Sequence, residues 1–160
     1  MSAAATPEEL AQRFVLDEAR MLDERRYGEW PALFVPEGWY WIPAAPDQES
    51  PHTAVSIVYE ERRVLELRVR RLLNPVTPVE SPPARAHRHM NSLVASVQSD
   101  GSIDVSSLMV IFVLREGHQH ILSARVRHDL VRTGDGLRIR SKTVRLLNCD
   151  SPLFAFAAPF

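Results

Sequence analysis

The pattern of apolar and polar residues identifies residues 103–114, IDVSSLMVIFVL, as the centre of the predicted fold. The first residues alternate, and the last seven are all apolar. A short run rich in Val, Ile and Phe predicts a β-strand and not a membrane span. Because successive side chains of a strand point to opposite faces, this run places apolar side chains on both faces, and both faces are predicted to be buried. One face is expected to pack on the chain's own helices, and the other either on a second layer of the same domain or on a partner subunit.

Helical periodicity predicts three helices in the first half of the chain. Residues 6–9, Thr-Pro-Glu-Glu, have the form of a capping box with proline at the first helical position, and apolar residues then recur at helical spacing. This first helix is expected to end near Arg25 or Arg26. A short second helix is expected to begin near Glu29, and a charged third helix is expected over residues 60–73.

Strand signals follow the first two helices and fill the second half of the chain. An aromatic strand is predicted at residues 39–42, after a turn at residues 36–38. Four longer strands with short, mostly glycine-containing connections predict an antiparallel meander; they are expected at residues 88–98, 103–115, 120–132 and 137–147. Helices followed by a meander indicate an α+β fold with the helices on one face of the sheet.

The chain is expected to form a single domain over residues 1–160, with a flexible start at residues 1–6. Residues 152–160 contain three phenylalanines and a leucine, which is unusual for a loose terminus. Burial of one such side chain contributes about 1.5–3 kcal/mol, so this tail is expected to dock on the chain's own core or on a neighbouring subunit.

Composition excludes several classes of function. The chain has 19 basic and 20 acidic residues and a net charge of −1, which argues against a nucleic-acid-binding protein. The single cysteine, Cys149, excludes an intrachain disulfide and a Rieske or other iron–sulfur site within this chain. The sequence shows no signal-peptide pattern and no membrane span, so we expect a cytoplasmic protein with no membrane partner.

Four stretches in a fixed order carry a resemblance to a known family. They are EARMLDERRYGEWPALF (18–34), GWYWIP (38–43), VYEERRVLELRVRRL (58–72) and RHMNSLV (88–94). The chain resembles the small (beta) subunit of the aromatic-ring-hydroxylating dioxygenases, whose fold is the NTF2-like (cystatin-like) cone. The resemblance implies a non-catalytic assembly subunit that joins a catalytic alpha subunit, commonly as three of each. It also implies that the Rieske 2Fe–2S cluster and the mononuclear iron belong to the alpha subunit, that this chain holds no cofactor, and that a benzoate-like acid is a candidate substrate.

An assembly subunit needs residues that contact its partners, and the sequence offers three groups of candidates. The first group is the arginines of the third helix and of the strand after the central one. The second is the apolar residues on one face of the central strand, and the third is the phenylalanines of the tail. We expect interface positions at Arg68, Arg70, Arg71, Met109, Ile111, Val113, Arg125, Arg127, Phe154 and Phe156.

An enzyme is the alternative interpretation, because NTF2-like cones often enclose a pocket. An isomerase or dehydratase would use His89 as the general base, with Tyr40, Asp17 and Glu18 facing the same pocket. A stand-alone ligand-binding or dimerising module is a third possibility. We favour packing roles for these residues, because a fold alone does not specify chemistry.

The histidines supply no complete metal site in the sequence. His87 and His89 share one strand face, as do His118 and His120, but two histidines are only half of a ligand set. We therefore expect no metal in this chain.

Overall fold

Two α-helices and a 3₁₀ helix cover one face of a six-stranded sheet in the computed structural model, which describes residues 4–76, 78–154 and 156–160. The elements are α1 (Pro7–Asp23), a 3₁₀ helix (Trp30–Leu33), β1 (Phe34–Ile42), β2 (Val58–Glu61), α2 (Arg62–Leu72), β3 (Arg85–Val97), β4 (Ile103–Arg115), β5 (His118–Thr133) and β6 (Gly136–Leu146). The strand order is β2-β1-β6-β5-β4-β3, and every neighbouring pair is antiparallel except β1 with β6. No helix in the described part of the chain is long and apolar enough to cross a membrane.

The first helix begins as its capping pattern predicts. The Thr6 hydroxyl accepts a hydrogen bond from the backbone N–H of Glu9 at 3.2 Å, and the Glu9 carboxylate accepts one from the N–H of Thr6 at 2.8 Å. These two bonds satisfy donors that the start of a helix leaves unpaired. The buried stripe of α1, which includes Ala11, Val15 and Leu22, packs mainly on β3.

The central strand, β4, has the predicted bounds, and its two faces have different surroundings. Residues 103, 105, 107, 109, 111 and 113 face the helices and are buried, whereas the even-numbered residues lie on the opposite side and are half-buried, as Leu108 and Val110 are, or exposed, as Ser106 is. We call the helix-covered side the inner face and the opposite side the outer face. The prediction that Met109, Ile111 and Val113 form an interface is therefore wrong, because all three are enclosed in the subunit's own core.

The aromatic strand is longer than predicted. Residues 36–38, predicted as a turn, lie inside β1, whose pairing with β6 shifts between Phe34 and Trp39. A side chain at Gly38 would bring its Cβ within 2.8 Å of the carbonyl oxygen of Ile139. Glycine therefore allows β1 to approach β6 closely at this irregularity.

The strand β3 forms one edge of the sheet and also contains an irregularity. Its pairing with β4 shifts between Asn91 and Val94, and Ser92 has a positive φ of 51°. Such a bulge bends a strand and interrupts its hydrogen-bond ladder.

Candidate functional site

The last residues of the chain return to the inner face of the sheet. The N–H of Phe160 donates to the hydroxyl of Tyr40 on β1 at 3.1 Å, and the carbonyl oxygen of Phe160 accepts from Lys142 on β6 at 2.6 Å. Arg88 on β3 donates to the carbonyl of Pro159 at 2.5 Å, and the Glu80 carboxylate accepts from the N–H of Ala157 at 2.8 Å. Four separate parts of the chain thus hold residues 157–160.

A buried ionic cluster lies beside the end of this tail. The carboxylate of Glu18 on α1 accepts hydrogen bonds from Trp30 Nε1 at 2.8 Å and from Lys142 Nζ at 2.9 Å, and it lies 2.6 Å from His128 Nε2. The side chains of Glu18, His128 and Lys142 are at most 3% exposed. Burial of charges at this depth requires close pairing.

The charges of the cluster follow from burial and pairing. Burial alone would raise the pKa of Glu18, but the Lys142 ammonium and the His128 contact outweigh it and hold that pKa well below its usual range. Burial lowers the pKa of His128 more than the nearby Glu18 carboxylate raises it. No described residue pairs with His128 Nδ1, which is consistent with a neutral imidazole that donates through Nε2.

His128 and Lys142 are not among the predicted site residues, although the sequence carries a signal for both. Both occupy inward positions on strands whose other inward residues are apolar, for example Val126 and Val144. They also face each other directly in the β5–β6 register. A polar residue on an apolar strand face predicts a buried polar partner, and here that partner is Glu18 on α1.

The acid–base site predicted around His89 does not form. His89 is exposed on the outer face of β3, where its ring lies against Phe112 at 5.2 Å. Asp17 is exposed on α1 and pairs with Arg20, whereas the Tyr40 hydroxyl is buried and binds the tail. Side chains alternate between the two faces of a strand, and His89 occupies an outer-face position on β3, whereas Tyr40 occupies an inner-face position on β1. The two side chains therefore lie on opposite sides of the sheet.

The paired histidines also lie apart from any cluster of ligands. His87 and His89 are exposed on the outer face of β3, and His118 is exposed beside a turn. His120 stacks on Phe154, with 4.0 Å between ring centroids. Across residues 4–76, 78–154 and 156–160, no three His, Cys, Asp or Glu residues are arranged to hold a metal ion.

Four of the five predicted interface arginines are exposed, all except the half-buried Arg68, and two of the five make ion pairs within the chain. Arg68 binds Glu60 through two hydrogen bonds of 2.8 and 2.5 Å, and Arg127 binds Asp104 at 2.6 Å. Arg70 and Arg71 are exposed on α2, and Arg125 is exposed on β5. Of the predicted tail residues, Phe154 and Phe156 are half-buried and lie 6.0 Å apart between ring centroids.

The outer face combines apolar, aromatic and cationic groups. Its apolar part includes Leu108 and Val110 on β4. A groove of about 580 Å³ is lined in part by Leu108, Trp41, Arg125 and Arg145. The guanidinium of Arg145 lies over the Trp41 ring at 5.1 Å, a cation–π contact. A mixed surface of this kind is typical of the centre of a protein–protein interface, where aromatic residues and arginine are enriched.

Residues 17–151 match the model of one protein family, described as the ring hydroxylating beta subunit. The chain belongs to this family. The predicted resemblance is thus confirmed, and the chain is a non-catalytic beta subunit of the aromatic-ring dioxygenase type.

Named relatives of this beta subunit cover most of its length. The benzoate 1,2-dioxygenase subunit beta of Acinetobacter baylyi is 26% identical over 145 residues, which is 88% of this chain and 86% of the relative. The N,N-dimethyl phenylurea N-demethylase subunit beta of a Sphingobium species is 32% identical over 145 residues, or 86% and 78%.

A solved structure shows the same fold. The crystal structure of the benzoate 1,2-dioxygenase beta subunit from Burkholderia mallei matches this beta subunit with a TM-score of 0.78 at 20% identity and covers 99% of this chain and 100% of that one. The predicted α+β, NTF2-like fold with helices on one face of a mainly antiparallel sheet is confirmed.

Proposed function

We propose that this beta subunit assembles with a catalytic alpha subunit into a multicomponent Rieske non-haem iron dioxygenase containing three copies of each chain. In this proposal the alpha subunit carries the 2Fe–2S cluster and the mononuclear iron, and the complex works in the cytoplasm. The observation that carries the proposal is the family match over residues 17–151, since beta subunits of dioxygenases pair with alpha subunits.

The interior of the subunit supports an assembly role. The polar groups of the inner face, Glu18, Lys142 and Tyr40, already bind one another or the tail. The outer face, by contrast, leaves half-buried apolar residues and the exposed Arg125 available to another chain. Burying such a face in a closed ring of subunits would remove its apolar side chains from water.

For the aromatic substrate of the complex we propose a benzoate-like acid. The support is the relation to beta subunits named for benzoate 1,2-dioxygenase. A substrate test also requires a phenylurea, because the relative with 32% identity is named for N,N-dimethyl phenylurea.

The experiment is co-expression of the full chain with a catalytic alpha subunit from the same organism, followed by native mass measurement and a turnover assay. We expect a complex with equal numbers of the two chains, three of each, and turnover by the complex only. The chain alone, and its His89→Ala variant, are the matched samples. Turnover by the isolated beta chain that disappears in His89→Ala would overturn the proposal, as would a beta chain that never binds alpha.

A further inference from the structure

A cavity of about 310 Å³ lies between the tail and the sheet. Its walls include Tyr40 and Ile42 on β1, Leu122 on β5, and the tail residues Phe156 and Phe160. The two phenylalanine rings meet edge to face at 5.4 Å between centroids. The volume lies at the small end of the range for ligand pockets, and the walls are mostly apolar, as in most small-molecule sites.

One charged side chain, Arg68 of α2, is present among the described residues that line this cavity. Its Nε and Nη2 atoms bind the carboxylate of Glu60 at 2.8 and 2.5 Å. These two bonds use Nε and Nη2, and the N–H groups of the third nitrogen, Nη1, are donors that take no part in the pair with Glu60. Arg68 therefore offers a hydrogen bond, while Glu60 already balances its charge.

We propose that this cavity binds a single-ring aromatic compound that carries a neutral hydrogen-bond acceptor, of the aryl-amide class. Apolar cavities of this kind accept benzene-sized rings, and phenylalanine walls provide edge-to-face contacts for them. The acceptor of the ligand receives a hydrogen bond from Arg68. A carboxylate is disfavoured, because its charge would enter an apolar site whose cation is already paired with Glu60.

The first test is a calorimetric titration of the purified full-length chain with benzamide and, separately, with benzoate. We expect saturable binding of benzamide and affinity for benzoate weaker by about tenfold or more. The readout is binding to this chain alone, so its result is independent of assembly with an alpha subunit.

Two variants that fill the cavity locate the binding. Val58 on β2 and Ala157 in the tail both line the cavity, so Val58→Phe and Ala157→Leu are each expected to abolish benzamide binding. The matched control is Val55→Phe, because Val55 is 86% exposed and does not line the cavity; it should bind benzamide like the wild type. Circular dichroism identifies a cavity-filling variant that fails to fold. The conclusion then rests on benzamide binding by the other cavity-filling variant.

The role of charge is tested by Glu60→Gln. This change leaves Arg68 without its counter-charge, so we expect benzoate affinity to rise about tenfold while benzamide affinity changes little. The proposal is overturned if benzamide does not bind saturably, or if its binding survives in folded Val58→Phe and Ala157→Leu. Equal benzoate affinity in the wild type and Glu60→Gln would overturn the assignment of Arg68 as the polar contact.

Discussion

The imidazole Nε2 of His128 lies 2.6 Å from a carboxylate oxygen of Glu18, a contact that joins β5 to α1 inside the core. Lys142 on β6 binds the other carboxylate oxygen at 2.9 Å and also holds the carbonyl of Phe160. One buried carboxylate therefore links the first helix, two neighbouring strands and, through Lys142, the tail. Each of these groups depends on the others for hydrogen bonds that water would otherwise provide.

Removal of the Lys142 charge is expected to destabilise the subunit strongly. Lys142→Met leaves the Glu18 carboxylate buried with one partner fewer, so the free energy of unfolding should fall by about 3–5 kcal/mol in urea denaturation. The control is Arg20→Met, which breaks an exposed pair with Asp17 and should cost no more than about 1 kcal/mol. Equal losses in the two variants would contradict the importance of the buried cluster.

The stability of the subunit is expected to fall on mild acidification because of His128. Burial lowers the pKa of His128 in the folded chain, so between this pKa and the ordinary value of about 6.5 only the unfolded chain takes up the proton. Unfolding then becomes more favourable as the pH falls through this range. Below about pH 4.3 the unfolded chain also protonates Glu18, whose pKa is lowered in the folded state, and further stability is lost.

This pH dependence is measured by urea unfolding at about pH 5 and about pH 7.5. The difference in unfolding free energy between the two pH values should shrink in His128→Gln. His118→Gln, which removes an exposed histidine beside a turn, is the control and should retain the difference. A wild-type protein that is more stable at about pH 5 than at about pH 7.5 would refute the assignment of a neutral, buried His128.

Loss of the Phe160 ring is expected to loosen the tail. Phe160→Ala removes a ring that is only 9% exposed and contacts Phe156, so the free energy of unfolding should fall by about 3 kcal/mol. Limited proteolysis should then cut the last residues faster than in the wild type. Leu153→Ala, at a position 37% exposed, is the milder comparison and should cost about 1 kcal/mol or less. Equal protease resistance of Phe160→Ala and wild type would show that the hydrogen bonds from side chains to the tail backbone hold the tail without the ring.

A charge in the centre of the outer face is expected to weaken assembly while the subunit remains folded. Val110 lies on that face between His89 on β3 and Ser123 on β5. Val110→Lys should weaken association by at least about tenfold in native mass measurements, because an interface would bury the ammonium group. The control Leu16→Lys changes an apolar residue that is 47% exposed on α1. Assembly that is lost only in Leu16→Lys would place the interface on the helical side instead.

The sequence predicted the elements well because their signals are local. The capping box before α1 and the period-two runs of β4 depend on neighbouring residues only, and both elements begin where predicted. The turn at residues 36–38 was predicted wrongly because proline and glycine usually end a strand. Here Gly38 serves instead to let β1 lie close to β6, which is a tertiary requirement.

The candidate site could be predicted only in part, for two physical reasons. The inward positions of His128 and Lys142 on apolar strand faces indicate a buried polar partner, but that partner, Glu18, lies 110 and 124 positions away along the chain, so the sequence does not identify it. The assignment of Met109 to an interface failed because β4 is apolar on both faces. Such a pattern shows that both sides avoid water but not which side receives the helices.

The interruption of β3 between Asn91 and Val94 has a consequence for how copies of the chain meet. A regular edge strand of thirteen residues could pair with a strand of another molecule and start the growth of fibrils. Ser92 has a positive φ, and the β3–β4 register shifts between Asn91 and Val94. This bulge divides the edge of β3 into two shorter segments, so an added strand could not continue its backbone hydrogen bonds from one segment to the other. The irregularity therefore shortens the length of edge with which another strand could pair.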